Sequence, residues 1–322
     1  MITFPNDLSQ AQAQAAAATG EVRAGATDFT ERRHLGLAST DIVDLRDVTE
    51  ARTIAAASSG GLRLGALVTI AELARDATVR RDYPGLAEAA GGLATPQIRA
   101  VGTLGGNLLQ RTRCWYYRAP EATCLKRGGA RCGAREGDHH YHACFDLGPC
   151  VSVHPSTLGM ALLAYGAEVE LVGADARSVA ALLGDGRDPR RDHALPEGAL
   201  LSAVVLPPPQ RGEKSACVRT IARARAEWPL VEAVARLGVV DGRIAWASVA
   251  VGGVAPVPLA LPAVERALVG AAPTPAALTK AAALATDGAA PLPMTGYKLA
   301  LLEGTVQDAL ERALERTPTG GA

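Results

Sequence analysis

The sequence predicts a two-domain α+β protein, and three features carry that reading. The chain has 322 residues, and a typical domain takes about 150. Its first half alternates short strand-like and helix-like segments, whereas its end consists of three Ala- and Leu-rich helical stretches near 262–269, 274–285 and 297–314. Between these regions stands Pro207-Pro208-Pro209, the best linker candidate in the chain, because such runs break regular structure. The domains are therefore read as 1–206, with an insert at about 108–152, and 210–322.

The elements follow in order. Ala11–Ala18 suits a helix, and Val22–Ala24 a short strand running into Gly25-Ala26-Thr27-Asp28. Ile42–Leu45 and Leu62–Leu64 read as strands. Thr69 with Glu72 three positions on forms a capping-box pattern for the next helix. Pro84 opens a helix that stops at Gly91-Gly92. After the insert come a helix over Thr157–Tyr165 and strands at Glu168–Leu171 and Ala203–Leu206. Past the prolines, strands near Cys217–Ile221 and Ile244–Val251 flank a helix expected over Pro229–Leu237. No internal repeat is present.

Hydrophobic residues make up 48% of the chain, enough for a sizeable core, and 33 basic residues balance 33 acidic ones. A nucleic-acid reader would carry a basic excess, so that class is set aside. The start, Met1-Ile2-Thr3-Phe4-Pro5-Asn6-Asp7, lacks the basic and apolar regions of a secretory signal. The longest uncharged stretch, Ile244–Val264, contains Gly252, Gly253, Pro256, Pro258 and Pro262, which suit strands and turns rather than a membrane helix. The expected location is cytoplasmic, with the periplasm reachable on a partner's export signal.

Two glycine segments draw attention. Arg23-Ala24-Gly25-Ala26-Thr27-Asp28 is a strand entering a tight turn, and Thr103-Leu104-Gly105-Gly106-Asn107 is a second small-residue turn. Small residues let backbone N–H groups converge on an anion, and Thr27, Asp28, Thr103 and Asn107 add polar side chains. Together the segments could hold the two phosphates of a dinucleotide. Either alone is ordinary turn chemistry. The chain has no G-x-G-x-x-G, so a Rossmann site is unsupported.

The order of these segments carries a resemblance. A-G-x-T-D, then T-x-G-G-N, then a helix and strand around Gly166-Ala167-Glu168-Val169 is similar to the FAD-binding medium subunit of the xanthine dehydrogenase family of molybdenum hydroxylases. Gly252-Gly253-Val254-Ala255-Pro256-Val257-Pro258 and the helix from Gly296-Tyr297-Lys298 resemble that family's C-terminal domain. The resemblance implies a vanillyl-alcohol-oxidase-type FAD-binding domain followed by the C-terminal α+β domain of flavin subunits. It also implies that FAD is held by Arg23, Ala24, Gly25, Ala26, Thr27, Asp28, Thr103, Gly105, Gly106 and Asn107, and since neither turn contains His or Cys, attachment is expected to be non-covalent. Leu93 would pack near the flavin, Leu200 would end a strand beside it, and Arg219 would replace a frequent lysine. Ser156-Thr157 stands where Ser-Asp is common, so Thr157 offers a hydroxyl in place of a carboxylate, and Ala26 stands where glycine is usual. The implied partners are a large molybdenum-cofactor subunit and a small 2Fe–2S subunit. Electrons would pass from the latter through FAD to an acceptor.

Five of the six cysteines fall within 37 residues, and with Cys144 left out the spacing of Cys114, Cys124, Cys132 and Cys150 is C-x9-C-x7-C-x17-C. In a chain without a secretory signal, clustering favours a metal site over disulfides. On the residues alone, structural zinc and an iron–sulfur cluster stand level, with His139, His140, His142 and His154 as further possible zinc ligands. The insert resembles that of the periplasmic aldehyde oxidoreductases and 4-hydroxybenzoyl-CoA reductases, which implies a 4Fe–4S cluster on those four cysteines. Arg111, Arg113, Lys126, Arg127, Arg131 and Arg135 are the nearby cations in sequence, and Cys144 and Cys217 read as structural thiols. No residue is assigned a catalytic role, for no nucleophile–base constellation is present. The rival readings are a stand-alone flavin oxidase of the same fold and a zinc-stapled, non-enzymatic module.

Overall fold

A computed structural model describes residues 1–17 and 20–316. Three sheets in chain order organise them. The first is parallel, with β1 (Ile2–Thr3) and β2 (Glu21–Arg23) on either side of β3 (Ile42–Asp44). The second is antiparallel and ordered β4 (Ile54–Ala56), β5 (Leu62–Gly65), β8 (Leu200–Leu206), β6 (Glu168–Val172) and β7 (Arg177–Ser178). The third, also antiparallel, orders β12 (Leu259–Ala260), β11 (Arg243–Gly252), β10 (Val231–Val240) and β9 (Glu213–Thr220). Pro207–Pro209 joins β8 to β9 without regular structure.

Helix α1 (Leu8–Ala17) packs its buried Ala11 in a small core with Val43, Leu45, Leu67 and Leu200; the expected last residue, Ala18, lies outside the described residues. Helix α2 is Phe29–His34, and α3 (Ile70–Arg75) starts on the expected capping box of Thr69 and Glu72. Next come α4 (Ala77–Asp82), α5 (Pro84–Gly92), α6 (Pro96–Val101) and α7 (Leu104–Leu108). The insert contains only two short helices, α8 (Trp115–Arg118) and α9 (Gly133–Glu136), with a 3-10 turn at Leu125–Arg127. Then α10 (Thr157–Ala164), buried along most of its length, runs through the main core, and α11 (Val179–Leu183) covers its flank. Helices α12 (Pro262–Leu268), α13 (Pro275–Ala282) and α14 (Tyr297–Glu315) close the second core.

The expected helix over Pro229–Leu237 is wrong: Val231–Val240 is the strand β10, paired on both sides. Its first eight residues are all buried, so no polar face discloses the period of two. Alternate residues serve different cores. Val234 packs in the main core of the first unit, while Val231, Ala233, Ala235 and Leu237 pack beneath the C-terminal helices. A strand buried on both faces loses the alternation by which strands are recognised.

The same strand locks the two halves together. Arg236 donates to both carboxylate oxygens of Glu213 at 2.7 and 3.0 Å and to the carbonyl of Ala164, at the end of α10, at 2.7 Å. Its guanidinium also lies 4.2 Å from the Tyr165 ring centroid. Tyr165 in turn shares a 2.7 Å hydrogen bond with Ser215, which accepts one from the Gly85 N–H. Arg236→Leu therefore leaves a fully buried Glu213 without its guanidinium. The expected cost is about 3–5 kcal/mol, measured as a fall in the urea unfolding midpoint.

Candidate functional site

A cleft of about 400 Å3 opens between the first sheet, the second sheet and the loop that follows β9. Both glycine segments line it. Arg23, Ala24, Gly25, Ala26, Thr27, Asp28, Leu93, Thr103, Gly105, Gly106, Asn107 and Leu200 all face the cleft, joined by Trp228 from the C-terminal half. Thr157 and Arg219 do not. They line a small adjoining cavity that shares Leu93, Ala94, Asn107 and Trp228 with the cleft.

At Gly25 the first segment packs against the backbone of Val101 and Gly102, just before the second. A Cβ there would stand 2.0 Å from the carbonyl oxygen of Val101, so only glycine permits this approach. The next residue, Ala26, has φ +61°, a left-handed conformation that costs an alanine roughly 1–2 kcal/mol. This turn leaves the N–H groups of Gly25, Ala26, Thr27 and Asp28 without a protein acceptor among the described residues. Consecutive unspent N–H groups around a left-handed residue form an anion-binding concavity.

The second segment differs from the sequence reading. Its N–H groups are already used: Leu104 donates to Val68 O at 2.9 Å, Gly105 to Ala66 O at 2.8 Å and Asn107 to Thr103 O at 2.9 Å. Gly106 donates to the Thr103 hydroxyl at 3.1 Å, because Thr103 caps α7. The Asn107 amide oxygen accepts from Ser156 at 2.7 Å, and Ser156 itself caps α10. The segment is thus a smooth wall rather than a second set of donors. Gly106 is the bare point of that wall, where an added Cβ would meet only the Thr103 hydroxyl, at 2.9 Å.

Asp28 is not free to contact a ligand with its carboxylate. It binds Arg118 at 2.6 Å, Arg32 at 3.1 Å and Arg113 at 3.2 Å, and accepts from the Arg111 N–H at 3.2 Å. Burial would raise its pKa, but Arg113 and Arg118 outweigh burial and hold it below the usual carboxylate range. Arg111, Arg113 and Arg118 belong to the insert. The first glycine segment and the insert are therefore one electrostatic unit.

Arg219 is spent on its own half and on the cleft edge. It donates to the carbonyl of Gly92 and, at 2.9 Å, to that of Glu227. It also stands 3.6 Å from Glu232. Glu232 is a residue that sequence reasoning missed, because its segment read as a helix. It is buried on β10 and accepts the Thr157 hydroxyl at 2.8 Å. A carboxyl from the C-terminal half thus stands behind the hydroxyl at position 157.

Burial raises the pKa of Glu232, with Arg219 opposing. A raised folded-state pKa means that the proton is held more tightly in the folded state, so the associated stability is lost as pH rises above the ordinary glutamate range of about 4.3. Glu232→Gln keeps a carbonyl acceptor for Thr157 and removes this titration. The variant should gain in melting temperature relative to the parent as pH is raised from about 5 to 8, and a constant difference across that range would refute the assignment.

The cysteines divide cleanly. Cys114, Cys124, Cys132 and Cys150 line one small apolar cavity with Tyr116, Tyr117, Lys126 and Ser152. Cys144 is fully buried in the C-terminal core, and Cys217 packs against the main core. All six are free thiols. A hydrogen bond from Cys150 draws the Cys132 thiol down to about 6 and raises its partner, while burial pushes Cys114 up to about 11. No group of three His, Cys, Asp or Glu side chains converges tightly enough for a single metal ion among the described residues.

The expected shell of cations is mostly engaged elsewhere. Arg111 and Lys126 pair with the buried Asp192 at 2.9 and 3.0 Å, Arg135 with Asp146 at 2.6 Å, and Arg131 with Glu136. Arg127 ties together the carbonyls of Tyr116, Ala119, Pro120 and Ala122. Only Lys126 also lines the cysteine cavity. The histidines organise the insert. His139 accepts the Met294 N–H at 3.2 Å, and burial pushes His142 down to about 4. Tyr297 and Lys298 grip the carbonyls of His140 and Tyr141, which gives the late Gly-Tyr-Lys motif a structural task.

Comparison with known proteins follows the same division. Residues 2–209 match the family described as FAD binding domain in molybdopterin dehydrogenase, and 216–313 match the CO dehydrogenase flavoprotein C-terminal domain. The chain belongs to the flavin-binding subunits of the molybdenum hydroxylases. Among this family, the aldehyde oxidoreductase FAD-binding subunit PaoB of Escherichia coli K12 is 35% identical over 253 residues, 76% of this chain and 78% of that one. The fold is also that of CO dehydrogenase from Oligotropha carboxidovorans, with a TM-score of 0.76 and 25% identity over 98% of both chains. Quinoline 2-oxidoreductase from Pseudomonas putida 86 gives 0.74 and 23%, covering 97% and 95% of the two chains. The expected mixed α+β fold and oxidoreductase class hold, and the non-enzymatic module is set aside. Among the described residues no helix is long and apolar enough to cross a membrane.

Proposed function

We propose that this flavin subunit carries FAD in the cleft and relays electrons within a heteromer, between a small 2Fe–2S subunit and an external acceptor. Substrate is oxidised on a large molybdenum-cofactor subunit. The observation that carries this reading is that both glycine segments line one cleft, with Gly25 packed against the Val101 carbonyl as only glycine allows. The residues fit a dinucleotide with divided roles: the turn at Gly25–Asp28 offers N–H groups to the pyrophosphate, and Gly105 and Gly106 offer a wall without side chains. Leu93 and Leu200 supply apolar surface, and Thr157 and Arg219, backed by Glu232, supply the polar edge of the side cavity. The domain boundary is placed at Pro207–Pro209. Bound FAD supplies the redox chemistry, and the protein's part is to hold and tune it.

Gly106→Val tests the cleft assignment. The added methyls project from the bare wall into the cleft, so FAD retention should be abolished while the melting temperature stays near that of the apo parent. Yellow, flavin-replete variant protein would refute the assignment. Acid precipitation should release the flavin into the supernatant, since neither segment offers His or Cys for covalent attachment.

The four cysteines on one cavity support a 4Fe–4S cluster and membership of the insert-bearing branch. Changes of Cys114, Cys124, Cys132 or Cys150 to Ser should each lose or degrade the cluster. Cys144→Ser and Cys217→Ser should retain about four irons per chain. Metal analysis of anaerobically purified protein that finds zinc and no iron would end this part of the reading.

A further inference from the structure

The Cys114 sulfur has one notable neighbour. His142 places Nε2 3.2 Å from Cys114 Sγ, and its ring packs edge-on against Trp115, with centroids 5.6 Å apart. The side chain is 4% exposed, and its other nitrogen, Nδ1, is buried without a hydrogen-bond partner among the described residues. An imidazole can carry its N–H on either ring nitrogen. On Nδ1 it would be a buried, unpaired donor, and the Nε2 lone pair would face sulfur. On Nε2 it points at Cys114, and only an acceptor nitrogen is left unpaired, the cheaper of the two arrangements.

We propose that His142 donates an Nε2–H hydrogen bond to the Cys114 sulfur and so raises the reduction potential of the iron–sulfur cluster bound there. This rests on the 4Fe–4S reading above. The physical ground is that an added electron increases the negative charge on the ligand sulfurs, and a donor aimed at sulfur stabilises the reduced form more than the oxidised one. His142 is therefore a positioning and tuning residue rather than a ligand. The backbone holds it there: its N–H donates to the His139 carbonyl at 2.9 Å, and Lys298 holds the carbonyl of the preceding Tyr141.

The test is an EPR-monitored redox titration of the full holoprotein and two variants, with iron measured on each. His142→Leu removes the donor and should shift the reduction equilibrium about tenfold toward the oxidised form, a fall of about 59 mV for a one-electron couple. His142→Gln keeps a side-chain N–H of similar reach and should restore most of the potential. An iron-replete Leu variant with an unchanged midpoint overturns the proposal. If the Leu variant fails to hold iron, pulsed EPR on parent protein containing 15N-histidine decides. A weak coupling through a hydrogen bond supports the proposal, whereas no coupling, or the strong coupling of a direct ligand, overturns it. Parent protein without iron would instead bring down the cluster reading, and this inference with it.

Discussion

Three guanidinium groups converge on the carboxylate of Asp28, and the organisation of the site depends on that convergence. Arg32 comes from the helix that follows the first glycine segment, and Arg113 and Arg118 come from the insert. Arg118 is almost wholly buried, as is Arg32. Each arginine has a second carboxylate, Glu21 for Arg32 and Glu31 for Arg113 and Arg118, but Asp28 is the one that all three share. One side chain therefore closes the turn that offers its N–H groups to the cleft and anchors the loop that carries the cysteines. The cleft and the cysteine cavity are neighbours for the same reason. Gln110 and Arg113 line the first, while Thr112 and Cys114 line the second.

The insert is also secured from the opposite side. Cys144 and Phe145 both donate to the Val254 carbonyl, Ala290 donates to that of Cys144, and His154 donates to that of Ala255. With Tyr297 and Lys298 on the carbonyls of residues 140 and 141, the insert is woven into the C-terminal half. Ala134, Ala143 and Val151 give it a small core of its own. Its order therefore rests on packing and backbone hydrogen bonds as well as on any thiol chemistry.

The two glycine segments show how similar composition serves different tasks. In the first, a left-handed alanine leaves consecutive N–H groups unspent. In the second, threonine capping and two bonds to the turn at Ala66–Val68 consume them. Glycine in the first permits a close backbone crossing. Glycine in the second keeps the cleft wall clear, where a side chain would occupy ligand space.

Much was legible in the sequence by itself. The capping box at Thr69, the proline-initiated α5, the late helices and the small-residue segments all arise from interactions between residues a few positions apart, so local pattern reports them. Clustering set Cys217 apart in the sequence, and the resemblance of the insert set Cys144 apart from the four cysteines that line one cavity. Tertiary structure alone decided the rest. Val231–Val240 became a strand because it is buried between two cores, which erased its alternation and hid Glu232. Glu232 reaches Thr157 across 75 positions, and Arg118 reaches Asp28 across 90. Such pairings depend on which surfaces meet after the chain has collapsed, and burial, which sets both their strength and their protonation, exists only in the folded molecule.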